Sequence, residues 1–352
     1  MKKVRIGIVG VGGIAKGAHI PAYLKDERVE IVALCDIIEE RAEQAREKWF
    51  PEARVYTDFR ELVTDKNVEC VDICTPNFWH SRIAVAAFEA GKNVFCEKPD
   101  AVSPEEALKM KEASEKSGKL LMVMRNNRFV SGSTYLKQFI AEGKAGDIYA
   151  GRCGWQRRRG IPGKGGWFTT KELSGGGPLI DLGVHMIDLA VWFMGNPTPV
   201  AVSGATYCKF ADADISDSVH SAFGDEKKGG TFDVEDLAIG MIRFQNGATL
   251  QIEFSWASNI EREHRFVELY GTKAGFSWDN EEVKIFSEDN GILTDTLLKR
   301  VQQDGHQNFL RHAVDVLLDG VEPIYKPQQG LDMIKILNAI YESAQTGREV
   351  IL

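Results

Sequence analysis

In the run Asp181-Leu182-Gly183-Val184-His185-Met186-Ile187-Asp188-Leu189-Ala190-Val191-Trp192, the polar positions Asp181, His185 and Asp188, with Trp192, recur at i, i+4, i+7 and i+11. That spacing sets them on one face of a helix, and the apolar residues around the rest of it mean burial. Buried ionisable groups must be paired or used. Three chemistries fit the stripe. It could be a core hydrogen-bond network, since buried histidines are commonly just satisfied. It could be a metal site, because Asp and His four residues apart can share an ion, although no third strong ligand is evident. It could also be an alcohol-oxidising site, with His185 taking the hydroxyl proton near neutral pH and Asp181 orienting it or the substrate.

A second reactive residue lies far upstream. Glu97-Lys98-Pro99 ends a short apolar strand, Asn93-Val94-Phe95-Cys96. In a doubly wound sheet, charged groups at strand carboxyl ends face the ligand crevice, and Pro99 biases Lys98 toward extended backbone. The alternative is an ordinary loop lysine.

What the crevice would hold is written near the N-terminus. Gly10-Val11-Gly12-Gly13-Ile14-Ala15 follows the first strand and precedes a helical stretch, the context required of a dinucleotide turn. Gly10 serves the tight turn, Gly12 lets backbone approach a pyrophosphate, and Ala15 lets helix pack on strand. N–H groups at the helix start, from Gly13 and Ile14 onward, receive the phosphates. Asp36, ending the second strand, is placed to bond the adenosine ribose, with Ile37 and Ile38 offering apolar surface to adenine. This favours NAD; Arg41 keeps NADP open, and capping of the next helix is the competing role for Asp36. Thr75-Pro76-Asn77 closes another strand and His80 starts the next helix, both on the crevice side in this reading.

These residues require a parallel sheet behind them. Val4–Val9, Ile31–Cys35, Cys70–Cys74, Val94–Cys96 and Leu120–Met124 are short apolar strands. They alternate with helical stretches Glu39–Trp49, His80–Ala90 and Pro104–Ser117. Beyond about residue 126 the pattern becomes β-rich, with Asp147–Gln156, Val200–Lys209, Phe232–Phe244, Ala248–Ala257, Arg265–Gly271 and Glu282–Phe286, and helices near residues 132–142, 178–194, 308–318 and 331–344. The expected fold is α/β: an N-terminal Rossmann doubly wound parallel sheet (1–125) and a C-terminal mixed α/β domain with a largely antiparallel sheet (126–352).

Composition narrows the class. The 352 residues suit two domains, and 43% hydrophobic with 27% charged residues suits a soluble globular protein. A net charge of -8 argues against nucleic-acid or anionic-membrane partners, apart from a local basic cluster, Arg157-Arg158-Arg159 with Arg152. Six scattered cysteines form neither a disulfide framework nor a zinc pattern. The N-terminus lacks a cleavage pattern and no apolar run spans a bilayer, so a cytoplasmic location is expected.

Taken in order, Gly10-x-Gly12-x-x-Ala15, Glu97-Lys98-Pro99 and Gly175-Gly176-Gly177 before Asp181-x-Gly183-x-His185-x-x-Asp188 resemble the glucose-fructose oxidoreductase / inositol dehydrogenase / MocA (Gfo/Idh/MocA) family. The ending Ile340-Tyr341-Glu342-Ser343-Ala344-x-x-Gly347-Arg348 is similar too. The resemblance implies oxidation of a ring hydroxyl in a sugar, cyclitol or related polyol, or the reverse, in a homodimer or homotetramer joined through the open sheet. It makes Lys98, Asp181 and His185 the catalytic group, with Lys98 stabilising charge on the substrate oxygen. Arg128, Trp155, Arg157, Arg158 and Trp167 are the expected substrate contacts. The arginines could instead take a phosphate or carboxylate, or pair with surface acids. Two other functions compete: a glycosidase working by transient oxidation with NAD, and a non-catalytic sugar or dinucleotide sensor, against which the three catalytic-type residues count.

Overall fold

The structure, a computed structural model, describes residues 3–299 and 303–352. The charged start at Met1 and Lys2 lies outside the described residues. The chain forms two compact units, one running through Asn126 and including Asp304–Ile334, the other comprising Asn127 to Gln303 and Lys335–Leu352.

The first unit is built on six parallel strands: β1 (Val4–Val9), β2 (Val29–Cys35), β3 (Arg54–Tyr56), β4 (Cys70–Ile73), β5 (Asn93–Cys96) and β6 (Leu121–Val123), in the order β3-β2-β1-β4-β5-β6. All four residues of β4 and all three of β6 are buried, as expected where helices cover both faces. The crossover helices are well delimited by sequence. Pro104–Ser117 starts at Ser103, whose hydroxyl accepts the Glu106 N–H at 3.3 Å, and stops at Gly118 with φ +66°. The short β3, only partly buried, and the helix Phe59–Thr64 were not expected; three residues carry too little periodicity to register.

The return of Asp304–Ile334 to this unit is a second departure from the expected simple division. Its helix Gly305–Asp319 is bound by the Arg28–Asp315 ion pair at 2.7 Å and by Lys25 Nζ donating to Gln307 Oε1 at 2.9 Å. Downstream, buried Tyr325 hydrogen-bonds Asp100, which also pairs with Arg125 at 2.5 Å.

The second unit carries nine strands: β7 (Ile148–Gln156), β8 (Pro199–Tyr207), β9 (Leu237–Phe244), β10 (Thr249–Ser255), β11 (His264–Gly271), β12 (Ala274–Asp279), β13 (Glu282–Asp289), β14 (Ile292–Leu298) and β15 (Val350–Ile351). Their order is β14-β13-β12-β11-β7-β10-β9-β8-β15, antiparallel except for the β7–β10 pair. One face packs against the apolar helix Val184–Phe193, where Phe193 meets Phe276 edge-on at 5.5 Å. The other face mixes ion and amide pairs, Arg152–Glu268 at 2.7 Å and Gln156–Glu253 at 3.0 Å, with the half-exposed Ile239 and Tyr270. Among the described residues no helix is long and apolar enough to cross a membrane.

Candidate active site

In the first unit, Gly10 follows β1 at φ +91°, and a Cβ there would stand 2.7 Å from the Cys74 carbonyl oxygen. Only glycine meets both demands. The turn lies where strand order reverses between β1 and β4, the place at which open parallel sheets take ligands. Gly12 and Gly13 border open space. Ala15 is buried against the sheet, as the third position of the motif requires.

Asp36 is pinned beside this turn. Its Oδ2 accepts the Val11 N–H at 2.8 Å and its Oδ1 the Ile38 N–H at 2.9 Å. The carboxylate thus braces the glycine loop rather than capping helix Glu39–Trp49, which has no side-chain cap bond. Ile37 beside it is 89% exposed. Beyond β4, Asn77 is buried and the Thr75 hydroxyl is buried with no hydrogen-bond partner. An orphaned hydroxyl at a crevice end is what a polar ligand group would satisfy. A glycine cradle, a fixed carboxylate and this hydroxyl together fit a dinucleotide.

His80 is placed differently from a crevice-lining residue. It is fully buried, with Nδ1 2.6 Å from the Pro99 carbonyl oxygen and Nε2 2.8 Å from that of Thr75. Burial lowers its pKa, whereas the two carbonyls pull the other way: both can only accept, so a neutral ring bonds one loop end and a protonated ring bonds both. Those loops carry Pro76 and, across the cis Lys98–Pro99 peptide, the partly buried Lys98. Glu97 is buried, and its Oε2 accepts the Lys98 backbone N–H at 3.1 Å.

The second unit holds Asp181 and His185. The expected single helix over 178–194 is a π-helical turn, Leu179–Gly183, running into α-helix Val184–Phe193. Such wide turns are frequent at functional sites. The stripe accordingly divides: Asp181 and His185 are partly accessible, whereas Asp188 and Trp192 are buried. Asp188 is taken by Arg128, whose Nε and Nη2 lie 2.8 and 2.6 Å from its two oxygens, with the guanidinium 5.5 Å over the Trp192 ring. Arg128, expected to touch substrate, is 1% exposed and instead forms this internal bidentate pair.

Around Asp181 and His185 stand aromatic rings. The Trp256 indole donates to Asp181 Oδ2 at 3.0 Å, Phe168 lies edge-on to Trp256 at 6.5 Å, and Trp167 stacks on Phe168 at 3.7 Å. Trp155 faces His185 at 6.1 Å, and the Arg157 guanidinium lies 4.9 Å over the Trp155 ring. Arg157 is buried, donates to the Gly160 carbonyl at 3.1 Å and keeps Nε without a hydrogen-bond partner. Burial lowers its pKa, against the pull of Asp181 and Glu263. Arg158 points elsewhere, exposed and 3.6 Å from Asp217.

Several residues that shape the site escaped the sequence reading. Glu263 accepts from Trp155 Nε1 at 2.9 Å and Ser218 Oγ at 3.1 Å, and pairs with His220 at 3.1 Å. Burial would raise its pKa, yet bonds from His220 and Trp155 bring it to about 2. Glu235, buried, accepts the Gly177 N–H at 2.9 Å, the Leu179 N–H at 3.0 Å and the Tyr341 hydroxyl at 2.8 Å. Burial raises its pKa in spite of these donors. It caps the start of the Asp181 turn and explains two glycines: a Cβ on Gly176 would meet Tyr341, and one on Gly177 the Glu235 carbonyl. The sequence signal for Glu235 is an acid opposite a glycine run, visible only once 58 residues are folded over. His19, four positions after Ala15, is the one such residue with a local signal, since that spacing returns it to the buried face.

Comparison with known proteins agrees with this geometry. The oxidoreductase family with an NAD-binding Rossmann fold, GFO/IDH/MocA, matches residues 4–125, and the GFO/IDH/MocA C-terminal domain matches residues 134–277. The chain is 34% identical over 352 residues to D-glucoside 3-dehydrogenase of Escherichia coli (strain K12), covering 99% of this chain and 97% of that one. It is 30% identical over 296 residues to levoglucosan dehydrogenase of Pseudarthrobacter phenanthrenivorans, covering 80% and 75%. Among solved structures, GenD2 from gentamicin A biosynthesis in complex with NAD superposes with a TM-score of 0.80 at 26% identity, covering 100% of this chain and 97% of that one. A glycine turn at the switch point, a Glu-Lys-Pro strand end, an Asp181/His185 pair behind three glycines, and full-length likeness to a sugar dehydrogenase lead to one assignment: the chain belongs to the Gfo/Idh/MocA oxidoreductase family.

Proposed function

We propose that this protein oxidises a ring hydroxyl of a sugar, cyclitol or related polyol, or reduces the corresponding ketone, with NAD as cofactor. The observation that carries this reading is Asp181 and His185, one helical turn apart and partly accessible, in a surround of Trp155, Trp256 and Phe168. Aromatic faces beside a carboxylate and an imidazole suit a polyhydroxylated ring.

Gly10, Gly12, Gly13, Ile14 and Ala15 would hold the pyrophosphate, Asp36 and Ile37 the adenosine, and Thr75, Pro76, Asn77 and Lys98 the nicotinamide half, with His80 and Glu97 supporting from behind. When bound, NAD supplies the hydride acceptor. His185 takes the hydroxyl proton, and Asp181, held by Trp256, orients the imidazole or an adjacent hydroxyl. Lys98 offers an ammonium to the oxygen on which charge develops. Trp155, Arg157 and Trp167 line the ring, and Arg158 lies outside that set.

Two further parts of the proposal concern setting. The half-exposed Ile239 and Tyr270 on the uncovered sheet face support a homodimer or homotetramer, which light scattering reads directly. Six free cysteines suit a reducing cytoplasm.

The test is a dehydrogenase screen of glucosides, anhydrosugars, inositols, sugar phosphates and nucleotide sugars with NAD and NADP. NADH formation with a ring-hydroxyl substrate is the expected result. Bond cleavage without net NADH would replace the reading with transient-oxidation glycosidase chemistry.

A further inference from the structure

His19 lies at the end of the π-helical turn Ala15–His19 that follows the glycine loop, and it is 1% exposed. Its Nδ1 is 2.8 Å from Asp72 Oδ2 and its Nε2 is 2.8 Å from Glu97 Oε1. A neutral imidazole has one N–H and one lone pair, so it could donate to one carboxylate only, setting its lone pair against the other anion. A protonated ring donates to both. Glu97 continues the chain, because its second oxygen accepts the Lys98 backbone N–H. The path therefore runs from Asp72 on β4, through His19 beyond the glycine turn, to the backbone of Lys98 at the end of β5.

The surroundings favour a fixed cation. Groups facing the ring are Asp72 from β4 and Cys74 just beyond it, Tyr23 from its own helical stretch, Glu97 and Lys98 from the β5 end, and, through Glu97, His306 from helix Gly305–Asp319. Burial opposes the charge on His19, but its acidic surroundings, Asp72 first among them, lift the pKa well above the ordinary imidazole value. Glu97 is held well below the usual carboxylate range, its bond to His19 overcoming burial. His306, lowered by burial, adds no fixed charge of its own.

A metal ion is the competing occupant, because His19, Asp72 and Cys74 place three ligand atoms within 4.8 Å of one another. Two features weigh against it. The 2.8 Å separation of Nδ1 and Oδ2 is that of a hydrogen bond, whereas a tetrahedral ion at about 2.0–2.1 Å from each would part them to about 3.3 Å. Burial, then Asp72, also pushes the Cys74 thiol up to about 12, leaving it protonated and a poor ligand.

We propose that His19 is a positioning residue, a fixed imidazolium that ties the glycine turn to Lys98 through Glu97. The proposal rests on the role given to Lys98 above. The cofactor turn and the catalytic lysine then sit on one hydrogen-bonded unit. Without the cation two buried carboxylates lose their common partner, one takes up a proton, and Glu97 no longer fixes the Lys98 backbone.

The test uses the full chain labelled with 15N at histidine rings and backbone amides, with and without NAD, and needs no substrate. The His19 signals are identified by their loss in His19→Gln. Both ring nitrogens should stay protonated from about pH 6 to about pH 9, where an unperturbed imidazole would be neutral over most of the range. Conversion to the neutral ring below about pH 8, or stoichiometric zinc in the purified protein, overturns the proposal. In His19→Gln the Lys98 amide should exchange at least about tenfold faster while the β1 and β4 amides keep their protection. Unchanged Lys98 exchange overturns it. With a substrate from the screen, kcat should fall about 10- to 100-fold, with KM and the NAD Kd within about threefold, as for a misplaced catalytic group. An unchanged kcat also overturns it. Should His19→Gln not fold, Glu97→Gln, which keeps the ring, is read by the same Lys98 exchange and kcat with the same criteria. A failed screen defeats the dehydrogenase reading and leaves the ring and amide measurements to decide on His19.

Discussion

Trp256 donates its indole N–H to Asp181 Oδ2 at 3.0 Å, from the segment just beyond β10 to the turn that leads into the helix of His185. A hydrogen bond to a carboxylate contributes about 1.5–3 kcal/mol. If it holds Asp181 in its working orientation, Trp256→Phe should lower kcat about tenfold or more while the ring still fills its space. Steady-state kinetics check this, and Asp181→Asn combined with it should show less than the summed loss.

Lys98→Met and His185→Ala should each reduce turnover by about 10²- to 10⁴-fold, the range for a lost acid–base or charge-stabilising group. NAD binding should stay within a few-fold, because the glycine turn is built without either side chain. Stopped-flow NADH formation and fluorescence titration separate the two effects.

Cofactor choice should follow Asp36. A 2'-phosphate would meet a carboxylate already fixed by Val11 and Ile38, so NAD should bind tighter than NADP by about 1–3 kcal/mol. Asp36→Ala should narrow that gap and, by freeing the Val11 N–H, weaken NAD itself. Paired titrations of both cofactors with both proteins measure it.

Removing one partner of the Arg128–Asp188 pair leaves a buried charge. Arg128→Ala should cost about 3–5 kcal/mol of stability, whereas Arg128→Met with Asp188→Leu should recover much of it. Denaturant unfolding of the three proteins is the measurement. A small cost in Arg128→Ala would return Arg128 to the substrate contacts.

Glu263 gives a pH signature. Its folded pKa of about 2 lies below the ordinary 4.5, so its contribution is present above about pH 4.5 and is lost as pH falls toward 2. Glu263→Gln should therefore have a lower Tm than wild type at neutral pH, and the difference should shrink through that acid window. Calorimetry across the window reads it.

What could be read without the fold was whatever is local. The glycine turn, the β1, β4 and β5 strands and the Asp181–His185 spacing each sit within a dozen residues, where periodicity and turn chemistry act. The pairing of Arg128 was not legible because the acid it bonds lies 60 residues on. His19 lay in plain view, yet Asp72 and Glu97 are 53 and 78 residues away, and nothing short of strand order brings them together. The return of 304–334 to the first unit was hidden for the same reason, since its anchors are single long-range bonds such as Tyr325 to Asp100.

The Glu235–Tyr341 bond also bears on the order in which the site comes into being. Gly177 and Leu179 lean on a carboxylate whose remaining partner, Tyr341, is translated more than a hundred residues after it. While the nascent chain emerges, domains fold from the N-terminal side as they become available. The glycine turn can be in place early, but the start of the Asp181 turn lacks one of its ties until residue 341 has cleared the ribosome. Competence for chemistry is thus among the last properties the growing polypeptide acquires, and a ribosome stalled with residue 334 released but residue 341 still held would display the complete first unit with an unfinished reaction centre.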